Sequence, residues 1–427
     1  MDQVVPLPHP LPQPGAPPLK PLSLWRNPAF VRLWFAKTIS GMGSVITGLA
    51  VPITAVQVLG ATPAQMAGLA FAGMLPDIVF GLLAGVWVDR VRRRPLLIGA
   101  DLGRAAILLV IPGAAFFGVL SMPLLWIVAF GSAALTLVFT LASVAVLPSI
   151  VRQDQLVDAN TKLQMSESVL TLAGPGLAGL FVQLVTAPRA ILADVGSFLA
   201  SAWALGSVGT AEETRERQRS ASPLADLRRE IGEGLHELVR TPMLRALAIS
   251  MGVIVAGANV QLAVELIFYL RVLGFSPVTI GVLSGCHGVG SLLGAALAGR
   301  LAGRFPLGKL MIAAAGLNGA MAFAPAVAGV SAHPVLLLAG SGVLSGIGYA
   351  VFSVNQISLR QRITPLHLLG RVTSARRFLI FCIGPLGAAL GGWLGTVAGV
   401  MPALIVGAVI LFGGTVIMWC SPVRHER

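Results

Sequence analysis

Charged residues are scarce in this sequence. Only 11% of its 427 residues are Asp, Glu, Lys or Arg, whereas 56% are hydrophobic, and the mean hydropathy is +0.85. A soluble globular domain carries about 25% charged residues, so this composition excludes that class. Apolar runs long enough to cross a hydrocarbon layer of about 30 Å recur from residue 33 to residue 420, which predicts an all-α membrane protein.

Cysteine is also rare, and its placement excludes two kinds of site. Cys286, Cys382 and Cys420 each lie in an apolar run, and none belongs to a CxxC pair. The spacing supports neither a disulfide framework nor a thiolate metal site. No Ser-His-Asp arrangement stands out either, so we expect no cofactor, no metal and no enzymatic activity.

The formal net charge of +13 does not indicate nucleic-acid binding, because the basic residues are concentrated in alternate gaps between apolar runs. All but two of the 30 Lys and Arg residues lie on one side of the predicted bundle, and the exceptions are Arg189 and Arg271. The positive-inside rule then places both termini in the cytoplasm of a cell whose plasma membrane holds the protein.

Twelve membrane helices are predicted from apolar runs that are mostly bounded by Pro or Gly. The predicted spans are 33–58, 64–88, 96–118, 122–147, 165–186, 190–209, 246–270, 277–299, 310–330, 334–358, 378–398 and 401–420. A longer polar stretch at 210–244 separates the first six from the last six. Within it, Ser222 and Pro223 mark the start of an amphipathic helix at the cytoplasmic face.

These signals divide the chain into five segments. A proline-rich tail, predicted to be cytoplasmic and disordered, covers 1–28. Two six-helix bundles cover 29–209 and 245–420, with the linker 210–244 between them and a short cytoplasmic tail at 421–427.

The two halves resemble each other in sequence. GVWVDRVRRRPL at 85–96 is matched by GRLAGRFPLGKL at 299–310, and Gly174-Pro175 by Gly384-Pro385. Duplicated six-helix halves are typical of transporters, which hold a substrate between the halves and alternate access by rocking.

The charged turn between the second and third predicted helices resembles the signature of the major facilitator superfamily. Gly85, Asp89, Arg90, Arg93 and Arg94 match that signature, although Arg92 stands where the family usually has Gly. AGPGLAGL at 173–180 is similar to its antiporter signature, with fewer glycines. WRNPAFVRLWFAKTISGMGS and LHLLGRVTSARR resemble the branch that contains macrolide-efflux and siderophore-export proteins. The resemblance covers residues 25–420 and implies two pseudo-symmetric six-helix bundles, the major facilitator fold.

The resemblance also implies a cytoplasmic gate. In the family, the Asp of this turn contacts the N-terminal end of the eleventh helix, which attracts a carboxylate by about 0.3–1 kcal/mol when exposed. We therefore expect Asp89 and Arg90 to form a latch with Gly85, Arg93 and Arg94, which favours the outward-open state. Arg376 and Arg377, just before the predicted eleventh helix, would add attraction. The alternative is that the basic residues only hold the loop in the cytoplasm.

Ionisable residues inside a membrane are costly and are therefore functional candidates. Asp77 follows Pro76 near the middle of the second predicted helix, and Glu265 lies in the seventh. Each is a candidate for proton coupling. The alternatives are a protonated Asp77 bonded to a carbonyl, and a Glu265 that pairs with Arg271 near the outer end.

Other polar residues in the predicted helices are assigned to the substrate cavity or to packing. The substrate-cavity candidates are Asn259, Gln261, His287, Asn355 and Gln356. The alternatives are that His287 is a packed, hydrogen-bonded residue and that Asn355 and Gln356 cap backbone groups. Asp101 and Arg104 lie three residues apart and are expected to form a structural pair. Asp194 is expected at the membrane interface, and Gly174-Pro175 and Gly384-Pro385 are expected to kink their helices.

The function predicted is secondary active transport of a small hydrophobic or amphipathic compound by a monomer in the lipid bilayer. Export in exchange for protons is favoured. An importer or facilitator of a metabolite or lipid, and a non-transporting membrane scaffold or receptor, remain open as alternatives.

Overall fold

The computed structural model describes residues 24–88, 91–206, 223–365 and 368–426, with side chains throughout except at 82–88 and 223–231. Within these ranges the chain is almost entirely helical. The described residues contain no β-strand.

The first half consists of six long helices. They are α1 (Pro28–Gln57), α2 (Pro63–Val88), α3 (Arg93–Phe116), α4 (Met122–Ile150), α5 (Leu156–Val185) and α6 (Ala187–Gly206). The second half follows α7 (Pro223–Arg240). It comprises α8 (Pro242–Ile267), α9 (Pro277–Ala302), α10 (Leu307–Met321), the short α11 (Ala324–Ala328), α12 (Pro334–Ile363), α13 (Leu369–Val397) and α14 (Val400–Trp419).

Eleven of the described helical spans are long and apolar enough to cross a membrane, with α10 and α11 counted as one span and α8 extended by the π-helical turn Phe268–Val272. The helix α6 is a twelfth, 20 residues long. Its lower hydropathy is explained by Arg189 and Asp194. The structure therefore has the predicted twelve-helix fold.

Two predicted helix starts are wrong by about two turns. The helix α5 begins at Leu156 rather than at residue 165, and α13 begins at Leu369 rather than at residue 378. The apolar run marks only the part of a helix that meets lipid. The helical backbone continues with polar residues into the interfacial region, where those residues are solvated.

The two halves repeat one packing scheme. In the first half α1 contacts α5 and α6, α4 contacts α2 and α3, and α3 contacts α6. In the second half α8 contacts α13 and α14, α12 contacts α9 and α10, and α10 contacts α14. Each pair in one half has its counterpart in the other. The main contacts between the halves are α2 with α13 and α5 with α9.

The bundle has two distinct ends. One end carries short connections such as 58–62, 117–121 and 273–276, and we call it the short-loop face. The other carries the connections 151–155 and 303–306 together with Leu24 and Glu426, the first and last described residues, and we call it the basic face. The helix α7 lies at the basic face and packs on α13 and α8. There Glu233 forms an ion pair with Arg371.

Candidate functional site

A large cavity lies between the two halves. Its volume is about 1710 Å³, and both halves contribute walls, mainly from α1, α2 and α4 on one side and α8, α9 and α12 on the other. Most lining side chains are aliphatic, such as Leu69, Val128, Leu262 and Leu283. The volume exceeds the roughly 300–1,000 Å³ of a typical ligand pocket, and the mainly aliphatic lining suits an apolar ligand with a few polar contacts.

Two carboxylates predicted from the sequence border this cavity. Asp77 lies on α2, and the positive charge of Arg377 on the adjacent helix α13 acts on it. Glu265 lies on α8 and accepts a hydrogen bond from the hydroxyl of Tyr269 one turn further on. The alternative pairing of Glu265 with Arg271 is not formed in this structure. Tyr269 is a cavity residue that the sequence reasoning missed.

Three other predicted cavity residues also border it. Asn259 donates to the carbonyl of Val255 on its own helix at 2.9 Å. The Gln261 amide donates to the carbonyls of Ala322 and Leu404, at 2.7 and 3.0 Å, so it also ties α8 to the neighbouring helices.

His287 on α9 completes this set. Its ring lies 6.4 Å from that of Tyr349 on α12, measured between centroids, and both rings line the cavity. The pair forms an aromatic wall in the second half.

Asn355 and Gln356 are not among the residues that border the cavity, so their assignment to it is corrected. Both are buried within the second half on α12. Asn355 donates to the carbonyl of Val351, and the Nε2 atom of Gln356 is buried without a hydrogen-bond partner. Both lie in the half of α12 nearer the basic face, where this helix packs against its neighbours.

Of the residues expected to form the cytoplasmic gate, Asp89 and Arg90 lie outside the described residues, and Gly85 is part of α2. Arg93 donates to the carbonyl of Ala145 at 2.7 Å. Arg94 donates to the carbonyls of Leu205, at 3.1 Å, and Gly206. These cations thus meet carbonyls in the last turns of α4 and α6, where the helix dipole favours positive charge.

Arg376 and Arg377 are placed differently from the prediction. Because α13 starts at Leu369, they lie in the second and third turns of this helix rather than before it. Arg377 borders the cavity, and its guanidinium lies 5.2 Å from the ring centre of Phe381. The guanidinium of Arg377 can therefore contact a molecule in the cavity. The sequence did not predict this position because the helix was predicted to start only at residue 378.

The two Gly-Pro pairs lie inside continuous helices. Pro175 is internal to α5 and Pro385 is internal to α13. Each pair therefore belongs to a helix that contacts the opposite half. The carbonyl oxygen of Pro175 lies so close to Gly281 on α9 that a Cβ there would approach it to 2.3 Å.

Small residues close the cavity at the short-loop face. A Cβ built on Gly392 of α13 would meet the Cβ of Ala67 on α2 at 2.4 Å, and one on Gly179 of α5 would meet the carbonyl oxygen of Pro277 at 2.4 Å. Only a hydrogen atom fits at these positions, so the helices approach backbone to backbone. We call these two contacts the glycine seal.

One hydrogen bond crosses between the halves beside this seal. The guanidinium of Arg271 donates to the carbonyl of Val56 at 3.1 Å, in the last turn of α1. A cation at a helix C-terminus is stabilised by the helix dipole. The short-loop face is therefore closed in this structure.

Asp194 is placed against expectation. It is 1% exposed and borders the cavity, so it is not an interfacial residue. A Cβ on Gly43 of α1 would come within 2.2 Å of its Oδ1 atom. Because Gly43 has no side chain, α1 can cover the carboxyl group of Asp194. The hydrophobic periodicity of a single helix cannot predict such a contact with another helix.

Asp101 and Arg104 form an ion pair on α3, buried inside the first half. The guanidinium of Arg104 lies between the rings of Phe139 and Phe198, 4.3 and 4.1 Å from their centres. These contacts hold α3 to α4 and α6. In the part of the chain that the structure describes, no group of His, Cys, Asp and Glu side chains is arranged to hold a metal ion.

Known proteins of similar sequence include efflux proteins. The chain is 29% identical over 413 residues to the multidrug efflux pump Tap of Mycolicibacterium fortuitum, covering 91% of this chain and 96% of that protein. It is 28% identical over 374 residues to macrolide efflux protein A of Streptococcus pyogenes, covering 84% and 88% respectively.

Solved structures show the same fold at low sequence identity. A bacterial homologue of the iron transporter ferroportin in the inward-facing state superposes with a TM-score of 0.74 at 17% identity, over 93% of this chain and 99% of that one. The outward-facing state of a ferroportin homologue gives 0.57, over 92% and 98%.

The twelve-helix fold, its repeated halves and its central cavity are those of a multi-pass membrane transporter rather than an enzyme. A sequence model described as transmembrane secretion effector matches residues 18–427. The chain therefore belongs to the transmembrane secretion effector family of the major facilitator superfamily.

Proposed function

We propose that this transporter is a proton-coupled antiporter that exports small hydrophobic or amphipathic compounds by alternating access. The observation that carries the proposal is the cavity of about 1710 Å³, which both halves wall with mainly aliphatic side chains around Asp77 and Glu265. Aliphatic walls favour hydrophobic cargo, and carboxyl groups held away from bulk water favour reversible proton binding. The efflux activity named for both relatives supports the outward direction.

The distribution of basic residues supports the orientation. With the basic face towards the cytoplasm of a bacterial cell, both termini are cytoplasmic, and the closed short-loop face is the outer side. The cavity is then ready to accept cargo from the cytoplasm or the inner leaflet. A single chain contains both halves and the whole cavity, which supports function as a monomer.

Two probes test the transport function in everted membrane vesicles from cells that produce the protein. Ethidium is a lipophilic cation, and erythromycin is a macrolide. When the vesicle interior is made acidic, we expect both probes to accumulate, and an uncoupler should abolish the accumulation. Asp77→Asn and Glu265→Gln should each reduce it, whereas Asp158→Asn, which alters an exposed ion pair with Lys162, should not.

The result can contradict the proposal in two ways. If accumulation requires an acidic exterior, the protein is a symporter and the exchange mechanism is wrong. If neither probe responds to any proton gradient while purified protein binds them, coupling to protons is wrong. Equal accumulation in wild type and both carboxyl variants would remove Asp77 and Glu265 from the mechanism.

We also propose that Gly85, Asp89 and Arg90, with Arg93, Arg94, Arg376 and Arg377, form the cytoplasmic gate of the opposite, outward-open state. The family resemblance supports it. Asp89→Asn should increase labelling of a cysteine placed at cavity residue Thr140 by a maleimide added from the basic face. Unchanged labelling together with unchanged transport would refute the gate.

A further inference from the structure

Three ionisable side chains are buried together inside the first half. Asp101 is 0% exposed, Arg104 is 2% exposed and Asp194 is 1% exposed. The first two lie on α3 and the third on α6, and α1 and α4 cover them. This cluster contains two carboxyl groups and only one cation.

The positive charge of Arg104 is paired with Asp101. The two side chains form a direct ion pair, and the second oxygen of Asp101 accepts a hydrogen bond from the Ser201 hydroxyl at 2.6 Å. The guanidinium also contacts the rings of Phe139 and Phe198. This arrangement satisfies one carboxylate with the one available positive charge.

The negative charge of an ionised Asp194 is compensated much more weakly. Its Oδ1 atom accepts a hydrogen bond from Ser197 at 3.0 Å, and the Thr47 hydroxyl faces it from α1. The charged groups that act on it are Arg104 and Asp101, both from α3, and their charges oppose each other. The other charged residues of α1 and α6 are Arg32, Lys37 and Arg189, which lie nearer the ends of those helices, and α4 has none. Asp194 also belongs to the wall of the cavity, although its side chain is only 1% exposed.

A buried charge without a partner is strongly unfavourable, so two carboxylates with one arginine favour the binding of one proton. We infer that Asp194 is a proton-binding residue of this transporter and that the Asp101–Arg104 pair sets its charge. Binding adds one proton to a carboxylate oxygen and makes the cluster neutral. Release returns the proton to cavity water and leaves one negative charge beside the cavity. This inference rests on the proposed proton-coupled function and assigns it a site in the first half.

Infrared difference spectroscopy of the purified protein tests the site without any cargo. We expect protonated carboxyl absorption at neutral pH that disappears in alkaline buffer, and one component of it, the Asp194 band, should be absent in Asp194→Asn. Asp101→Asn should also remove the band, because Arg104 is then left to compensate Asp194 alone. The band should persist in Asp77→Asn and in Asp154→Asn, whose exposed pair with Arg152 lies outside the bundle.

Transport in proteoliposomes supplies the second measurement, with ethidium as probe. Asp194→Asn should lose accumulation driven by a proton gradient but keep the exchange of labelled for unlabelled ethidium, which needs no net proton movement. Asp154→Asn should keep both.

Each outcome can be interpreted. Persistence of the band in Asp194→Asn, or proton-driven accumulation at the wild-type rate in that variant, overturns the inference. If Asp194→Asn does not fold, a band that persists in Asp101→Asn overturns it instead. If wild type shows the Asp194 band but no proton-driven transport of any probe, the proposed function fails while the proton site stands.

Discussion

The glycine seal predicts a defined change in the balance between the two transport states. In Gly392→Ala the added methyl group would lie 2.4 Å from the Cβ of Ala67 and 3.0 Å from the carbonyl oxygen of Pro63. Carbon atoms pack at about 3.5–4.0 Å, so α2 and α13 must separate by about 1 Å. Overpacking of this kind costs about 1–3 kcal/mol. This cost applies only to the conformation in which the short-loop face is closed. The population ratio of closed to open conformations should therefore fall by about 5- to 150-fold.

Labelling of a single cysteine measures this ratio. Thr136→Cys places a thiol in the cavity wall on α4, away from the seal, in a protein whose three native cysteines are replaced by serine. An impermeant maleimide added from the short-loop side should react faster in Gly392→Ala. The matched control is Gly73→Ala on α2, where an added Cβ meets nothing within 4 Å. Equal labelling rates in the two variants would refute the role of the seal.

Three further substitutions probe the hydrogen bonds around the cavity. Gln261→Leu removes the two hydrogen bonds that the amide donates to the carbonyls of Ala322 and Leu404 and should lower the unfolding free energy by about 1–3 kcal/mol, seen as a lower midpoint of thermal unfolding in detergent. An unchanged midpoint would show that these hydrogen bonds do not stabilise the packing of α8 against its neighbours. Tyr269→Phe removes the hydroxyl that donates to Glu265, so the pH dependence of ethidium transport should shift while thermal stability stays near wild type. Arg271→Gln weakens the bond to Val56 by about 0.3–1 kcal/mol, so cavity labelling from the short-loop side should rise about two- to fivefold; unchanged labelling would show that the bond does not favour the closed face.

The fold could be predicted from the sequence because each membrane helix must satisfy its own backbone and present an apolar surface to lipid. Repeated glycines and charged turns in the two halves then indicated the duplication. The boundaries of the helices were harder to predict from the sequence. Arg371, Arg376 and Arg377 suggested a loop, but the helix continues through them, and Arg371 pairs with Glu233 of α7. Long basic side chains can reach water or a partner from within a helix, so charge alone does not end it.

The site was predicted in part, for a physical reason. Asp77 and Glu265 were recognisable because an acidic residue in an apolar run is costly wherever it faces. Asp194 has the same property, yet its place near a predicted helix end suggested an interface. Its burial depends on Gly43 in another helix, and such a tertiary contact leaves no periodic signal in either segment.

The glycine seal also bears on the speed of the transport cycle. A closure made of large apolar side chains would expose much hydrophobic surface to water each time it opened, and the closed state would be correspondingly hard to leave. Here the contacting atoms are hydrogens on Cα, small methyl groups and carbonyl oxygens, which water or lipid can cover at little free-energy difference. A seal of this kind is tight when closed and still easy to open, as repeated turnover requires.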